Sequence, residues 1–271
     1  MVERFAYLKM SEYINHVVST KEDICQQLIS MGIQKGMVVL LQADLKKLGY
    51  IVGGEQAILE ALMETVGYDG TIVMPTFTPQ LLNPACSKIN VSREEWGRIR
   101  KQAYPFDRKL SLPKKDMLAL QFLKNEGVVR SYHPLYSFAA WGKYAKLICD
   151  KHPLHFGLSQ DSPLGKLVDF NAYTLLLGAD YEDCVMFQLA RYSGEQLPIK
   201  IVSAPIENNK KMLWKDMLEL DYNTKNFSDI GEAMEDRFVV KNAYIGDGVC
   251  RFFAAKEATT LATAYFHIHK D

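Results

Sequence analysis

The chain has 271 residues and a mass of 30.8 kDa, with 48% hydrophobic and 24% charged residues, and its 32 basic side chains balance 32 acidic ones. A chain of this size buries about three quarters of its unfolded surface, so it closes a core without disulfides, metal or partner, and one large domain, or one and a half, is expected. Zero formal charge and a pI near 7.0 exclude a generally basic surface that tracks phosphate backbones, so no nucleic-acid partner is expected, and they exclude an acidic solvating tail.

Thr20-Lys21-Glu22-Asp23 ahead of Ile24, Leu28 and Ile29 predicts a capped amphipathic helix ending near Gly32. Residues 37–41 form a short continuous apolar run, the pattern of a strand buried on both faces. Gly53-Gly54 opens a second helix carrying Ala57, Ile58, Ala61, Leu62 and Val66. Tyr68-Asp69-Gly70 then turns the chain into a second buried run, 71–74, which Pro75 stops. Strand, helix and strand in that order imply a right-handed parallel crossover.

Residues 76–115 are richer in Pro, Asn, Ser and charge and read as a long excursion with one helix at 92–101. Such excursions beside parallel strand ends usually serve function. Helices are predicted at 117–123, 143–150 and 184–191, a third buried strand at 173–177, and a closing helix at 258–267. Short or alternating apolar runs at 212–220, 238–243 and 249–253 predict an antiparallel patch. The fold class is α/β with a mixed-sheet, α+β-like core.

The cysteines, at positions 25, 86, 149, 184 and 250, are odd in number and never spaced C-x-x-C, which fits a reducing compartment. The first thirty residues lack a signal-peptide pattern, and no apolar run reaches the roughly 18 residues of a membrane span. A cytoplasmic protein with no membrane partner is the expectation.

His152-x-x-His155 and His267-x-His269 are the close histidine pairs, and no cysteine or carboxylate completes a tetrahedral set with them, so no metal is expected. Cys184 follows Glu182-Asp183 at the mouth of a predicted helix, whose dipole favours a thiolate that the two acids oppose. It reads as a small, partly buried cysteine. No G-x-S-x-G and no Walker loop occurs, and Gly53-Gly54 alone is a weak phosphate signal.

Whole phrases are more specific. Val52-Gly53-Gly54, then Gly70-Thr71-Ile72-Val73-Met74-Pro75-Thr76-Phe77, then Arg130-Ser131-Tyr132-His133-Pro134-Leu135-Tyr136-Ser137-Phe138, then Phe156-Gly157-Leu158 with Ser162-Pro163-Leu164-Gly165, resemble in order and spacing the aminoglycoside N3-acetyltransferase family. Leu175-Leu176-Leu177-Gly178-Ala179-Asp180 and Gly248-x-Cys250-Arg251-Phe252-Phe253 continue the likeness, which covers roughly residues 20–268. The resemblance implies a single domain over 1–271 with an antibiotic acetyltransferase-like fold and a long loop and helix excursion, 76–115, near the cleft. It also implies an antibiotic-resistance activity: transfer of acetyl from acetyl-CoA to an amino group of a small-molecule acceptor, an aminoglycoside or other amino sugar, without metal. It is compatible with a homo-oligomer.

Such an acceptor amine is largely protonated near neutral pH, so a base must free its lone pair while donors stabilise the developing oxyanion. A histidine aimed by a carboxylate suits that task. The family writes a phrase close to Asn-Thr-Ser-Leu-His-Leu-Ala-Glu where this chain has Cys184-Val185-Met186-Phe187-Gln188-Leu189-Ala190-Arg191. The resemblance therefore puts Gln188 at the histidine position and Arg191 at the glutamate position. A glutamine amide accepts no proton at physiological pH, and Arg191 would set a cation against a polycationic acceptor. His133, Glu182 and Asp183 are the alternative bases.

The family's His-Ser-Ser-Leu is replaced by Gln42-Ala43-Asp44-Leu45, where Asp44 opposes an anionic coenzyme and Lys46 and Lys47 compensate. Its Thr-Pro-x-x-x-Met-Gly segment is only faintly matched by Ser111-Leu112-Pro113 and Met117. By resemblance the coenzyme-binding set is Ala43, Asp44, Leu45, Lys46, Lys47, Gly53, Gly54, Thr76, Ser111, Ser137 and Ser162. The alternative reading is a non-catalytic relative that binds a ligand or partner through the same cleft.

Overall fold

A computed structural model describes residues 17–87, 89–114, 116–194 and 197–269. The reading of the first sixteen residues as free of a signal peptide lies outside them. β1 (Val18–Ser19) leads into Thr20, whose hydroxyl accepts from the Asp23 amide at 3.2 Å while the Asp23 carboxylate accepts from the Thr20 amide at 2.9 Å. This reciprocal capping box opens α1 (Lys21–Ser30). β2 (Val38–Ala43) follows, then β3 (Tyr50–Ile51), which pairs with β1, and α2 (Gly54–Val66) carries the chain to β4 (Thr71–Pro75). β4 lies parallel to β2 with Val38 opposite Thr71, the crossover that the apolar runs imply.

The excursion holds α3 (Trp96–Gln102), and α4 (Met117–Phe122) follows it. β5 (Val129–Arg130) and β6 (Phe138–Gly142) extend the sheet antiparallel, and α5 (Ala145–Cys149) and α6 (Pro163–Asp169) lead to β7 (Tyr173–Leu177). After α7 (Met186–Gly194) come the hairpin β8 (Ile199–Asn208) and β9 (Lys211–Leu220), then α8 (Phe227–Asp236), β10 (Lys241–Ile245), β11 (Gly248–Ala254) and α9 (Ala255–Ile268).

The main sheet runs β10-β11-β7-β2-β4-β6-β5, with β2 parallel to both β4 and β7 and the other pairs antiparallel. Adjacent residues of a strand face opposite sides, and here both sides are covered. Leu40, Val73, Phe138, Leu176 and Phe253 pack beneath α5, α6, α7 and α9. Val39, Leu41, Ile72, Met74, Leu175 and Leu177 pack beneath α1, α2 and α4. Burial on both faces is why these strands read as unbroken apolar runs.

The structure corrects one expectation about the strands. The runs at 212–220, 238–243 and 249–253 are not one antiparallel patch. β10 and β11 close an edge of the main sheet, whereas β9 pairs only with β8 in a separate ribbon that runs from Ile199↔Leu220 to Asn208↔Lys211.

Gly178, at the end of β7, has φ +65°, and a Cβ there would lie 2.7 Å from the carbonyl oxygen of Asp44. Only glycine lets the chain leave β7 so close to the end of β2. Gly178→Ala is expected to destabilise by about 1–3 kcal/mol through the forced left-handed backbone. A urea midpoint equal to that of the native protein would show that the 178–183 segment gives way without cost.

Candidate active site

The chain leaves β2 through α2 towards β4 on one side and later returns as β7 on the other. The carboxyl ends of these strands therefore diverge at a topological switch, the place where α/β sheets hold ligands. A cavity of about 620 Å³ lies there. Its walls are Gln42, Ala43 and Asp44 from the end of β2, Pro75 and Phe77 from the end of β4, and Ala179 with Glu182 to Val185 beyond β7. Gln188 of α7, Lys200 of β8, and Tyr222 and Thr224 after β9 complete one side, and Pro113, Lys114 and Asp116 another. Gln42 fastens the acidic wall: its amide nitrogen donates to the Asp183 carbonyl and its oxygen accepts from the Val185 amide at 3.0 Å.

Four carboxylates, Asp44, Asp116, Glu182 and Asp183, face two lysines, and Lys200 is itself 2.6 Å from Asp221. Burial raises the carboxyl pKa of Asp116 and of Asp183. The balance still favours a ligand bearing ammonium groups. Glu182 also accepts from the Ser228 hydroxyl, and Asp116 caps α4 by accepting from the Ala119 amide at 2.8 Å. Cys184 is fully buried and its thiol is pushed up to about 12, so it is no nucleophile.

Gln188 lines the cavity with its side chain mostly buried. Its Nε2 donates to the Asn223 carbonyl at 3.1 Å, and its Oε1 has no hydrogen-bond partner among the described residues.

Arg191 does not line the cavity. It is 1% exposed, with its guanidinium carbon 4.3 Å from the Phe266 ring centroid and 5.2 Å from that of Phe227. It donates to Asn223 Oδ1 at 2.8 Å and to the Lys225 carbonyl at 2.9 Å. The expectation of a cation facing the acceptor is thus overturned: Arg191 ties the 223–225 turn to the core. His133 is likewise no base. Its Nδ1 accepts from the Leu135 and Tyr136 amides at 3.1 and 2.9 Å, its Nε2 donates to the Leu154 carbonyl at 3.3 Å, and burial holds its pKa well below the usual value.

Of the residues expected to hold the coenzyme, Ala43 and Asp44 line the cavity. The others have structural partners or lie elsewhere. Thr76 Oγ1 and Ser137 Oγ each accept from Nε of Arg130 at 3.0 Å. Burial pushes that guanidinium down to about 10. Ser162 caps α6 through the Leu164 amide at 3.1 Å, and Ser111 Oγ accepts from the Asp107 amide at 3.0 Å. Asp44 caps the 3₁₀ turn Leu45–Lys47, where Leu45 packs on the core, Lys46 is exposed, and Lys47 is paired with Asp180. Gly53 and Gly54 take positive φ to start α2 away from the cavity wall.

Sequence reasoning missed Phe77, Lys114, Asp116, Tyr136, Lys200, Tyr222 and Thr224 as cavity residues. It also missed what lies behind Tyr222. Glu219 is 1% exposed and accepts from the Gly157 amide at 2.8 Å, the Leu220 amide at 3.1 Å, the Tyr192 hydroxyl at 2.9 Å and the Tyr222 hydroxyl. The two hydroxyls also contact each other. Burial raises the Glu219 carboxyl pKa, and burial with the charge of Glu219 raises those of both phenols. Among the described residues no group of three or more His, Cys, Asp or Glu is placed to hold a metal ion, and no helix is long and apolar enough to cross a membrane.

The mixed sheet with its crevice is the architecture of the antibiotic acetyltransferases. Residues 40–267 match the family described as aminoglycoside 3-N-acetyltransferase. The chain is 36% identical over 250 residues to the SPbeta prophage-derived aminoglycoside N(3')-acetyltransferase-like protein YokD of Bacillus subtilis (strain 168), covering 91% of this chain and 92% of that one. The crystal structure of YokD matches with a TM-score of 0.88 over 91% of this chain and 93% of its own. Aminoglycoside N(3)-acetyltransferase III of Pseudomonas aeruginosa is 28% identical over 251 residues, covering 87% and 89% of the two chains. A structure described as AAC-IIIb binary with CoASH shares the fold, with a TM-score of 0.82 at 23% identity over 93% of this chain and 97% of that one. The chain belongs to the aminoglycoside 3-N-acetyltransferase family.

Proposed function

We propose that the protein is an acetyl-CoA-dependent N-acetyltransferase acting on an amino group of an aminoglycoside or other amino sugar. The observation that carries this reading is a cavity of about 620 Å³ at the strand ends, bearing four carboxylates and two lysines. Small-molecule sites span about 300–1,000 Å³. Glu182 and Asp183 bind ammonium groups of the acceptor, and Gln188 orients the reacting amine. The protein works in the cytoplasm as a single domain, with the end of the 76–115 excursion closing one wall of the cleft.

Ala43 and Asp44 meet the coenzyme arm, and Lys114 at the exposed rim meets its phosphates. Asp44 opposes the same phosphates at a cost of about 1–2 kcal/mol across a partly solvated gap. Coenzyme A is therefore expected to bind at tens of micromolar or more weakly, and Asp44→Ser to tighten it about tenfold, 1.4 kcal/mol. Calorimetry at low salt reads both, and sub-micromolar binding by the native protein contradicts the assignment.

A second reading is favoured by Gln188, an amide where the chemistry asks for a proton acceptor: a non-catalytic relative that binds a ligand through the same cleft. Thiol release from acetyl-CoA with a panel of amino sugars and aminoglycosides separates the two. The enzyme reading expects amine-dependent release, slower by about a hundredfold or more with gentamicin- or kanamycin-type acceptors than in a relative with the histidine, since a positioned base supplies about 10²–10⁴. Acceptor binding without release across the panel establishes the non-catalytic reading.

A further inference from the structure

We infer that Tyr222 relays a proton from the acceptor amine to the buried carboxylate of Glu219, and that this pair is the base of the transfer; the inference rests on the acetyltransferase reading. No imidazole lines the cavity among the described residues and the Gln188 amide accepts no proton; of the cavity carboxylates, Asp44 and Asp116 cap the 3₁₀ turn and α4, and Glu182 and Asp183 serve the acceptor's ammonium groups. Tyr222 faces the cavity on one side and donates to Glu219 on the other. It also sits next to Asn223, whose carbonyl fixes Gln188, so the relay opens beside the amide that orients the amine.

The proton count of the cluster shows why it takes up a proton. Tyr192, Tyr222 and Glu219 Oε1 make three oxygen–oxygen contacts: each hydroxyl with the carboxylate, and the hydroxyls with each other. An ionised Glu219 leaves two hydroxyl protons for three contacts. A third proton completes a ring in which the carboxyl donates to Tyr192, Tyr192 to Tyr222, and Tyr222 to the carboxyl, each bond polarising the next. The environment agrees, because burial raises the carboxyl pKa of Glu219 while keeping both phenols from ionising. The proton sink is therefore the carboxylate, reached through a neutral phenol.

Conversion of an ammonium to an amide sheds two protons from nitrogen. The first passes to the Tyr222 oxygen as the tyrosine's own proton passes to Glu219. The freed lone pair attacks the acetyl thioester carbonyl and forms the C–N bond. As the C–S bond breaks, the second proton ends on the departing thiolate, and Glu219 returns its proton to solvent through Tyr222.

The test is steady-state thiol release from acetyl-CoA with the best acceptor of the panel, using the full chain and its Tyr222→Phe, Glu219→Gln and double variants. Tyr222→Phe is expected to lower kcat about a hundredfold, the low end for a positioned base, with KM near native. Glu219→Gln should lower kcat similarly and the double variant no further, because the two act as a unit. Adding Gln188→His to Tyr222→Phe is expected to restore at least tenfold, since an imidazole supplies a base independent of the relay. Melting temperatures show whether each variant is folded, and Tyr222→Phe, which deletes one hydroxyl, carries the test if Glu219→Gln is not. Thiol release by folded Tyr222→Phe within threefold of native, or a raised KM at unchanged kcat, overturns the relay and leaves the acetyltransferase reading standing. No release by the native protein with any amine overturns both.

Discussion

Arg191→Glu is expected to lower the melting temperature by about 6–20 °C, although it restores the residue that the family resemblance places there. Arg191 is 1% exposed between the rings of Phe227 and Phe266 and donates to Asn223 Oδ1 and the Lys225 carbonyl. A carboxylate in that position turns its oxygens on two acceptors and lies against the negative faces of two rings. A hydrogen bond to a charged group contributes about 1.5–3 kcal/mol, so losing two costs on the order of 3–5 kcal/mol, and each kcal/mol shifts the midpoint of a protein of this size by about 2–4 °C. Arg191→Lys should fall between, because it keeps the charge and loses the planar fork and the stacking. An unshifted melting curve for Arg191→Glu would mean that the 223–225 turn is held by other contacts.

That result separates two substitutions that look alike in the sequence. Gln188 changes the wall of the cavity, and Arg191 changes the core behind it. Periodicity within α7 does not say which is which, because the answer depends on α8 and α9, which pack on the helix from far along the chain.

Much of the fold was legible for a physical reason. β2, β4 and β7 are buried on both faces and so read as unbroken apolar runs, and Thr20 with Asp23 writes its cap in four residues. β6 escaped notice because Phe138-Ala139-Ala140-Trp141-Gly142 has no β-branched residue, although it is held between β4 and β5. β8 was missed as a strand, and its hairpin with β9 stands apart from the main sheet, which left no parallel-run signature.

The candidate site was less legible. Its most recognisable phrases are rich in Gly, Pro, Ser, Thr and His, and the structure shows His133, Thr76, Ser137 and Ser162 spending their polar atoms on backbone and on Arg130. These residues shape the turns that carry the cleft. Tyr222 and Glu219 come from the end of β9 and the turn after it, where a tyrosine among Asp, Asn and Thr looks like surface until the fold places a buried carboxylate behind it.

Gln188→His is expected to raise kcat/KM for amine-dependent thiol release by about 10- to 100-fold, up to the low end of the range of about 10²–10⁴ that a positioned base supplies. Gln188 holds its place by donating to the Asn223 carbonyl at 3.1 Å. An imidazole N–H can make the same donation, which fixes the tautomer and leaves the second nitrogen as an acceptor. Partial burial lowers an imidazole pKa, so the ring is neutral and able to accept a proton near pH 7. The gain stays below the full range for two reasons: Arg191 rather than a carboxylate lies one turn further along α7, and the Tyr222 relay already carries part of the proton traffic. Measured at saturating acetyl-CoA, a change below twofold would show that proton removal does not limit the rate and that placement of the acceptor or the coenzyme does.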